Sequence, residues 1–166
     1  MNEELHEMSG DLIDLAKKGN FDVIAHGCNC YCTMGGGIAP QMARAFGCDK
    51  FPLENQKYSG DETKLGKIDF APVDVNGKEL IVVNAYTQYG FGGKPFDYDA
   101  FEKIVAEMNT VFKGKHIGLP KIGAGLGGGN WHTIRKMIKT GFTDCKVTIV
   151  NYKVAKLEED RDESKG

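Results

Sequence analysis

Residues 26–39, HGCNCYCTMGGGIA, set a histidine, three cysteines and an asparagine directly before three consecutive glycines. Such a run has three chemistries available: metal ligation, thiol reactivity, and anion binding by exposed backbone amides. Cys28, Cys30 and Cys32 alternate, so on an extended chain they would share one face. Zinc sites favour closely spaced cysteine pairs completed by a second, distant pair, and only the isolated Cys48 and Cys145 are left over. A thiol near a helix N-terminus has its pKa lowered, which keeps a nucleophilic cysteine open. Small cysteines packing a tight loop are the default reading, and no metal is expected.

Glycine carries more information. The chain of 166 residues holds 22 glycines, above an average usage of roughly 7%, and they cluster in MGGGIA (34–39) and GAGLGGGN (123–130). Glycine lets a ligand touch the backbone, and a helix that follows offers unpaired N–H groups and the positive end of its dipole. Two such loops make a cradle for two phosphates; tight packing of helix on strand is the alternative for either one. GAGLGG also fits the dinucleotide fingerprint, but that motif needs an acid about 20 residues on at the end of the next strand. Asp144 falls before its strand instead, so an NAD-dependent enzyme is not indicated.

The elements that must position these loops follow from periodicity. FDVIAHG (21–27) reads as a buried strand and GIAPQMARAF (37–46) as a helix, with Pro40 tolerable in its first turn. KIDFAPVDV and ELIVVNAYTQ read as strands joined by a hairpin at Asn76-Gly77. Tyr98, Phe101, Ile104, Val105, Met108 and Phe112 define an amphipathic helix. HIGLPKIG, a helix NWHTIRKMIKTGF and a strand KVTIVNY complete the order, and LIDLAKKG supplies a first helix. Alternating strands and helices predict one three-layer α/β/α domain with a mixed, mostly parallel central sheet, in which ligands bind beyond the carboxyl ends of the strands. The domain is expected over residues 1–155, with a disordered acidic tail over 156–166 that holds one apolar residue in eleven.

Bulk properties narrow the partners. A net charge of −2 gives no basic footprint for nucleic acid, and no apolar run approaches the ~20 residues of a membrane span. Five cysteines, an odd number, without an evident leader predict reduced thiols and a cytoplasmic protein. The expected partner is a small molecule; no direct nucleic acid, membrane or cofactor is expected, and the chain is expected to act as a monomer.

Gly10-Asp11-Leu12, a strand closing on Asn29, the Gly35-Gly36-Gly37-Ile38-Ala39 run and the late Ile122-Gly123-Ala124-Gly125 loop, in this order and spacing over residues 8–152, resemble the macrodomain family of ADP-ribose binders. HGCNC together with LPKIGAGLGGGNW looks closest to the branch holding ADP-ribose 1''-phosphate phosphatases and some de-ADP-ribosylating hydrolases. The resemblance implies that Asp11 accepts from the adenine amino group with Leu12 beside the ring, although Asp11 also suits a helix cap and both roles can hold. It implies that Asn29 bonds the distal ribose, and a turn residue is the alternative there. Met34, Gly35, Gly36, Gly37 and Ile38 would hold the distal ribose and phosphate, and Gly123, Ala124, Gly125, Leu126, Gly127 and Gly128 would wrap the diphosphate. Tyr152 reads first as a sheet aromatic and could stack on adenine.

In one hydrolase subgroup of that branch a lysine and an aspartate do the chemistry. Here the matching positions are Thr87-Gln88 and Gly127, which leaves that covalent route without its side chains. Phosphate removal needs backbone donors and a delivered water or proton. Asn29, His132 and His26 are the catalytic candidates; His132 would sit in the first turn behind an Asn130 cap, where the dipole favours a neutral ring. A solvent-facing His132 and a buried, hydrogen-bonded His26 are the structural alternatives. The stretch 91–101 could form a lid through Gly92-Gly93, with Lys94 and Phe96 reaching the nucleotide, or be an ordinary loop. The expected activity is a phosphatase acting on ADP-ribose 1''-phosphate; a non-catalytic ADP-ribose reader and an ADP-ribosyl hydrolase are the alternatives.

Overall fold

The computed structural model describes residues 5–34, 37–51, 59–90, 95–125 and 127–152. Strands β1 (Leu5–Gly10), β2 (Val23–Asn29), β3 (Ile68–Val75), β4 (Lys78–Gln88), β5 (His116–Leu119) and β6 (Lys146–Tyr152) alternate with helices α1 (Leu12–Lys17), α2 (Ala39–Phe46), α3 (Tyr98–Val111) and α4 (Trp131–Gly141). The strands form one sheet in the order β1-β6-β5-β2-β4-β3. Every neighbouring pair is parallel except β3 and β4, which the hairpin makes antiparallel. Asn76 and Gly77 turn that hairpin with φ of 54° and 84°, the left-handed pair that a type I′ turn requires.

Side-chain alternation splits the core into two layers. Val23 and Ala25 of β2, Val83 and Ala85 of β4, and Val147 and Ile149 of β6 pack with Phe101, Ile104 and Met108 of α3 and Ile134 and Ile138 of α4. The intervening residues Ile24, Val82 and Val150 pack instead with Leu12, Ile13 and Ala16 of α1 and Met42 of α2. A period of two along each strand therefore places one pair of helices on each face. This is the expected three-layer α/β/α arrangement.

Three details depart from the sequence reading. β1 is a strand that its polar sequence LHEMSG does not signal; it lies at the sheet edge, mostly exposed, and is held by parallel pairing to β6. The helix expected from residue 37 starts at Ala39, with Pro40 in its first turn. The described residues of the stretch 47–66, for which the sequence signals no element, include two short 3₁₀ turns, Cys48–Lys50 and Glu62–Lys64, that bury Cys48 and Lys64. The tail expected over 156–166 lies outside the described residues, as do Gly92, Gly93 and Lys94 of the expected lid. Phe96 of that stretch is a core residue: its ring packs on Tyr98 and Phe101, and its backbone N–H donates to Gly127 O at 3.1 Å.

Candidate functional site

Because the five strands from β1 to β4 are parallel, they end on one edge, and a cleft of about 1120 Å³ crosses that edge. From β1 to β4 the sheet takes four interstrand steps, about 19 Å at the usual strand spacing. Asp11 and Tyr152 stand at the β1–β6 end, and Asn29 and Gln88 at the β2–β4 end.

At the first end, Asp11 is the N-cap of α1. Its Oδ1 accepts from the Asp14 N–H at 3.1 Å, so the cap takes one carboxylate oxygen. Leu12 lies buried against the cleft wall, and Tyr152 stands 64% exposed at the rim. Asn151 lines the same end, with its buried Oδ1 lacking a partner among the described residues. Lys121 and Asp11 are the charged side chains among the described lining residues, and the Lys121 ammonium lies 5.9 Å from the Trp131 ring centroid.

At the second end, Asn29 folds its own loop. Its Oδ1 accepts from the Tyr31 N–H at 3.0 Å and the Thr33 N–H at 3.3 Å, and its Nδ2 donates to Thr33 Oγ1 at 2.9 Å. Asn29 is thus a loop organiser that also lines the cleft. The N-terminus of α2 closes this end. It has no side-chain cap and no acid in its first turn, so its free N–H groups and dipole face a cleft lined by Gly37, Ile38 and Ala39. Met34 lines the cleft beside them; Gly35 and Gly36 lie outside the described residues.

The second glycine loop has a divided role. Gly123, Gly125 and Gly127 line the cleft, Ala124 and Gly128 do not, and Leu126 lies outside the described residues. Gly123 (φ 76°) is glycine because a Cβ would run into the Phe96 ring, and at Gly127 a Cβ would come within 2.9 Å of Gln88 Oε1. Gly125 differs, since a Cβ there meets nothing within 4 Å. Packing explains the first two, and open cleft surrounds the third.

Neither histidine candidate lines the cleft. His132 is exposed on α4, whose Asn130 cap is satisfied by the Thr133 N–H at 3.1 Å. His26 is fully buried under the cleft floor, 2.7 Å from Asn84 Oδ1 and 3.5 and 3.6 Å from the Cys28 and Cys48 sulfurs. Asn84 spends its amide N–H on Cys48 O at 2.8 Å. Its Oδ1 therefore accepts, and His26 Nε2 carries the proton. Burial lowers the His26 pKa to about 4, against a smaller raising effect of the Asn84 bond.

The cysteines are thiols rather than thiolates. Burial raises Cys28 well above its ordinary value, Cys30 to about 11 and Cys48 to about 12, and it raises Cys32 as well. Among the described residues no cluster of three His, Cys, Asp or Glu side chains is placed to hold a metal ion. Behind the loop, buried Lys64 donates to Cys30 O at 2.8 Å with its ammonium 5.7 Å from the Tyr86 ring centroid, and Tyr86 donates to Asp69 Oδ2 at 2.6 Å. Sequence reasoning missed Lys64, Thr33, Asn151 and Lys121; Lys64 is placed by its bond to Cys30 O, 34 residues away, whereas Thr33 is held by Asn29 within the same loop.

The architecture has clear structural counterparts. The macrodomain of Mycobacterium tuberculosis DarG superposes with a TM-score of 0.68 at 20% identity, over 88% of this chain and 96% of that one. Thermosipho africanus DarTG, solved in complex with ADP-ribose, gives 0.70 at 15% identity, over 91% of this chain and 42% of that one. The fold is that of a macrodomain. No family model matches the chain. A 17.5 kDa protein of the tk-vs intergenic region of Enterobacteria phage T4 is 35% identical over 153 residues, 87% of this chain and 94% of its own length. The chain belongs to the family of that phage protein. Among the described residues no helix is long and apolar enough to cross a membrane.

Proposed function

We propose that the protein binds ADP-ribose along this cleft and removes the terminal phosphate of ADP-ribose 1''-phosphate. One observation carries the reading: a single cleft along the carboxyl edge of the parallel strands is lined both by a capping carboxylate with a spare oxygen, Asp11, and by the uncapped N-terminus of α2. An extended dinucleotide-like ligand with an amino group at one end and a phosphate at the other matches that polarity. The ADP-ribose carried by the Thermosipho africanus structure supports the ligand class.

In this reading the free Asp11 oxygen accepts from the adenine amino group and Tyr152 covers the ring. Gly123, Gly125 and Gly127 carry the backbone past the diphosphate, with Lys121 supplying the positive charge. Asn29 holds the distal ribose, and the α2 amides hold the terminal phosphate. Water attacks phosphorus, the bond to the ribose oxygen breaks, and the products are ADP-ribose and inorganic phosphate. Such transfers pass through a loose transition state, so positioning and charge stabilisation matter more than a strong base. The step therefore does not call on His26 or His132. Phosphate release from ADP-ribose 1''-phosphate is the test: turnover by wild type and by His132→Ala, with loss in Asn29→Ala, is expected. Absence of turnover by a wild type that still binds ADP-ribose would reduce the function to binding.

A further inference from the structure

Three independent features single out Thr87. Pairing between β2 and β4 runs Cys28 with Tyr86 and then Asn29 with Gln88, which leaves Thr87 as an extra residue in β4. Such a bulge re-aims the side chain it carries. The side chain is 1% exposed, yet its Oγ1 has no hydrogen-bond partner among the described residues. It also lines the cleft. Gly27 on the neighbouring strand leaves it room, because a Cβ added there would stand 3.0 Å from Oγ1.

An unpaired buried hydroxyl is costly, and the neighbouring position shows what the strand does elsewhere, where the Tyr86 hydroxyl is bonded to Asp69. Thr87 sits on β4, at the end of the cleft opposite Asp11. We propose that Thr87 is a specificity-determining residue: its hydroxyl bonds a hydroxyl of the distal sugar, so the site distinguishes ADP-ribose from ADP. A hydroxyl both donates and accepts, which suits a sugar hydroxyl in either orientation. This inference rests on the ADP-ribose reading of the cleft.

Calorimetric titration of wild type, Thr87→Val and Thr87→Ser with ADP-ribose and with ADP tests it. Valine keeps the volume and removes the hydroxyl. Thr87→Val is expected to bind ADP-ribose about five- to tenfold more weakly with ADP affinity unchanged, and its unliganded melting temperature should not fall, because no protein bond is lost. Thr87→Ser should keep the wild-type preference. Equal ADP-ribose affinity in Thr87→Val, an equal loss for both nucleotides, or a serine variant that behaves like valine would overturn the assignment. A wild type that binds neither nucleotide would overturn the ADP-ribose reading itself, and that result is read before any variant is compared.

Discussion

Acidification from pH 7 to pH 5 should destabilise the fold through His26. The ring is fully buried, donates its one proton to Asn84, and has a folded-state pKa of about 4 against 6.5 for an ordinary histidine. Between those values the unfolded chain binds a proton that the folded chain does not, so stability is lost as pH falls below about 6.5. Each unit costs about 1.4 kcal/mol, giving roughly 2 kcal/mol by pH 5 and about 3 kcal/mol once the folded pKa is reached. His116, also lowered mainly by burial, adds in the same direction. Comparison with His26→Gln cancels that contribution, because an amide N–H can still serve Asn84. Urea unfolding at pH 7, 6 and 5 should show wild type losing roughly 2 kcal/mol more than His26→Gln across the interval. Identical pH slopes for the two proteins would refute the burial argument.

Asn29→Ala removes the loop's internal hydrogen bonds, so it should lower stability by about 1–2 kcal/mol as well as weaken ADP-ribose binding, read by urea unfolding and calorimetry. Gly123→Ala, driven into the Phe96 ring at a left-handed φ, should cost about 2–4 kcal/mol, whereas Gly125→Ala should unfold like wild type and weaken only ligand binding. Alkylation of native protein at pH 7 should leave Cys28 and Cys48 largely unmodified, since burial holds both as thiols; rapid labelling of either would contradict the packing.

The order of elements was legible wherever the signal was local. The Asn76-Gly77 hairpin, the buried run of β2 and the apolar stripe of α3 each carry their structure within a dozen residues. β1 carries none, because an exposed edge strand is specified by its partner β6 rather than by its own apolar pattern. Lys64 reads as surface in sequence, since lysine is rarely buried without a partner, and only the folded 62–64 turn brings it to Cys30 O and Tyr86. Thr87 likewise looks like one more strand residue until the register of β2 on β4 shows the bulge. The glycine clusters were visible as special backbone, but their reasons divide: Gly123 yields to Phe96, while Gly125 faces open cleft. Asp11 could be read as cap or ligand contact, and its geometry leaves room for both.

Titration of ADP-ribose into wild type and Asp11→Ser by calorimetry tests the ADP-ribose cleft most directly. Serine caps a helix about as well as aspartate but is too short to reach the base, so the fold is kept while the adenine contact is removed. Saturable binding at one site by wild type, and clearly weaker binding by Asp11→Ser at an unchanged melting temperature, are expected. No saturable heat with wild type would contradict the ADP-ribose cleft, and equal affinity in the variant would remove Asp11 from it.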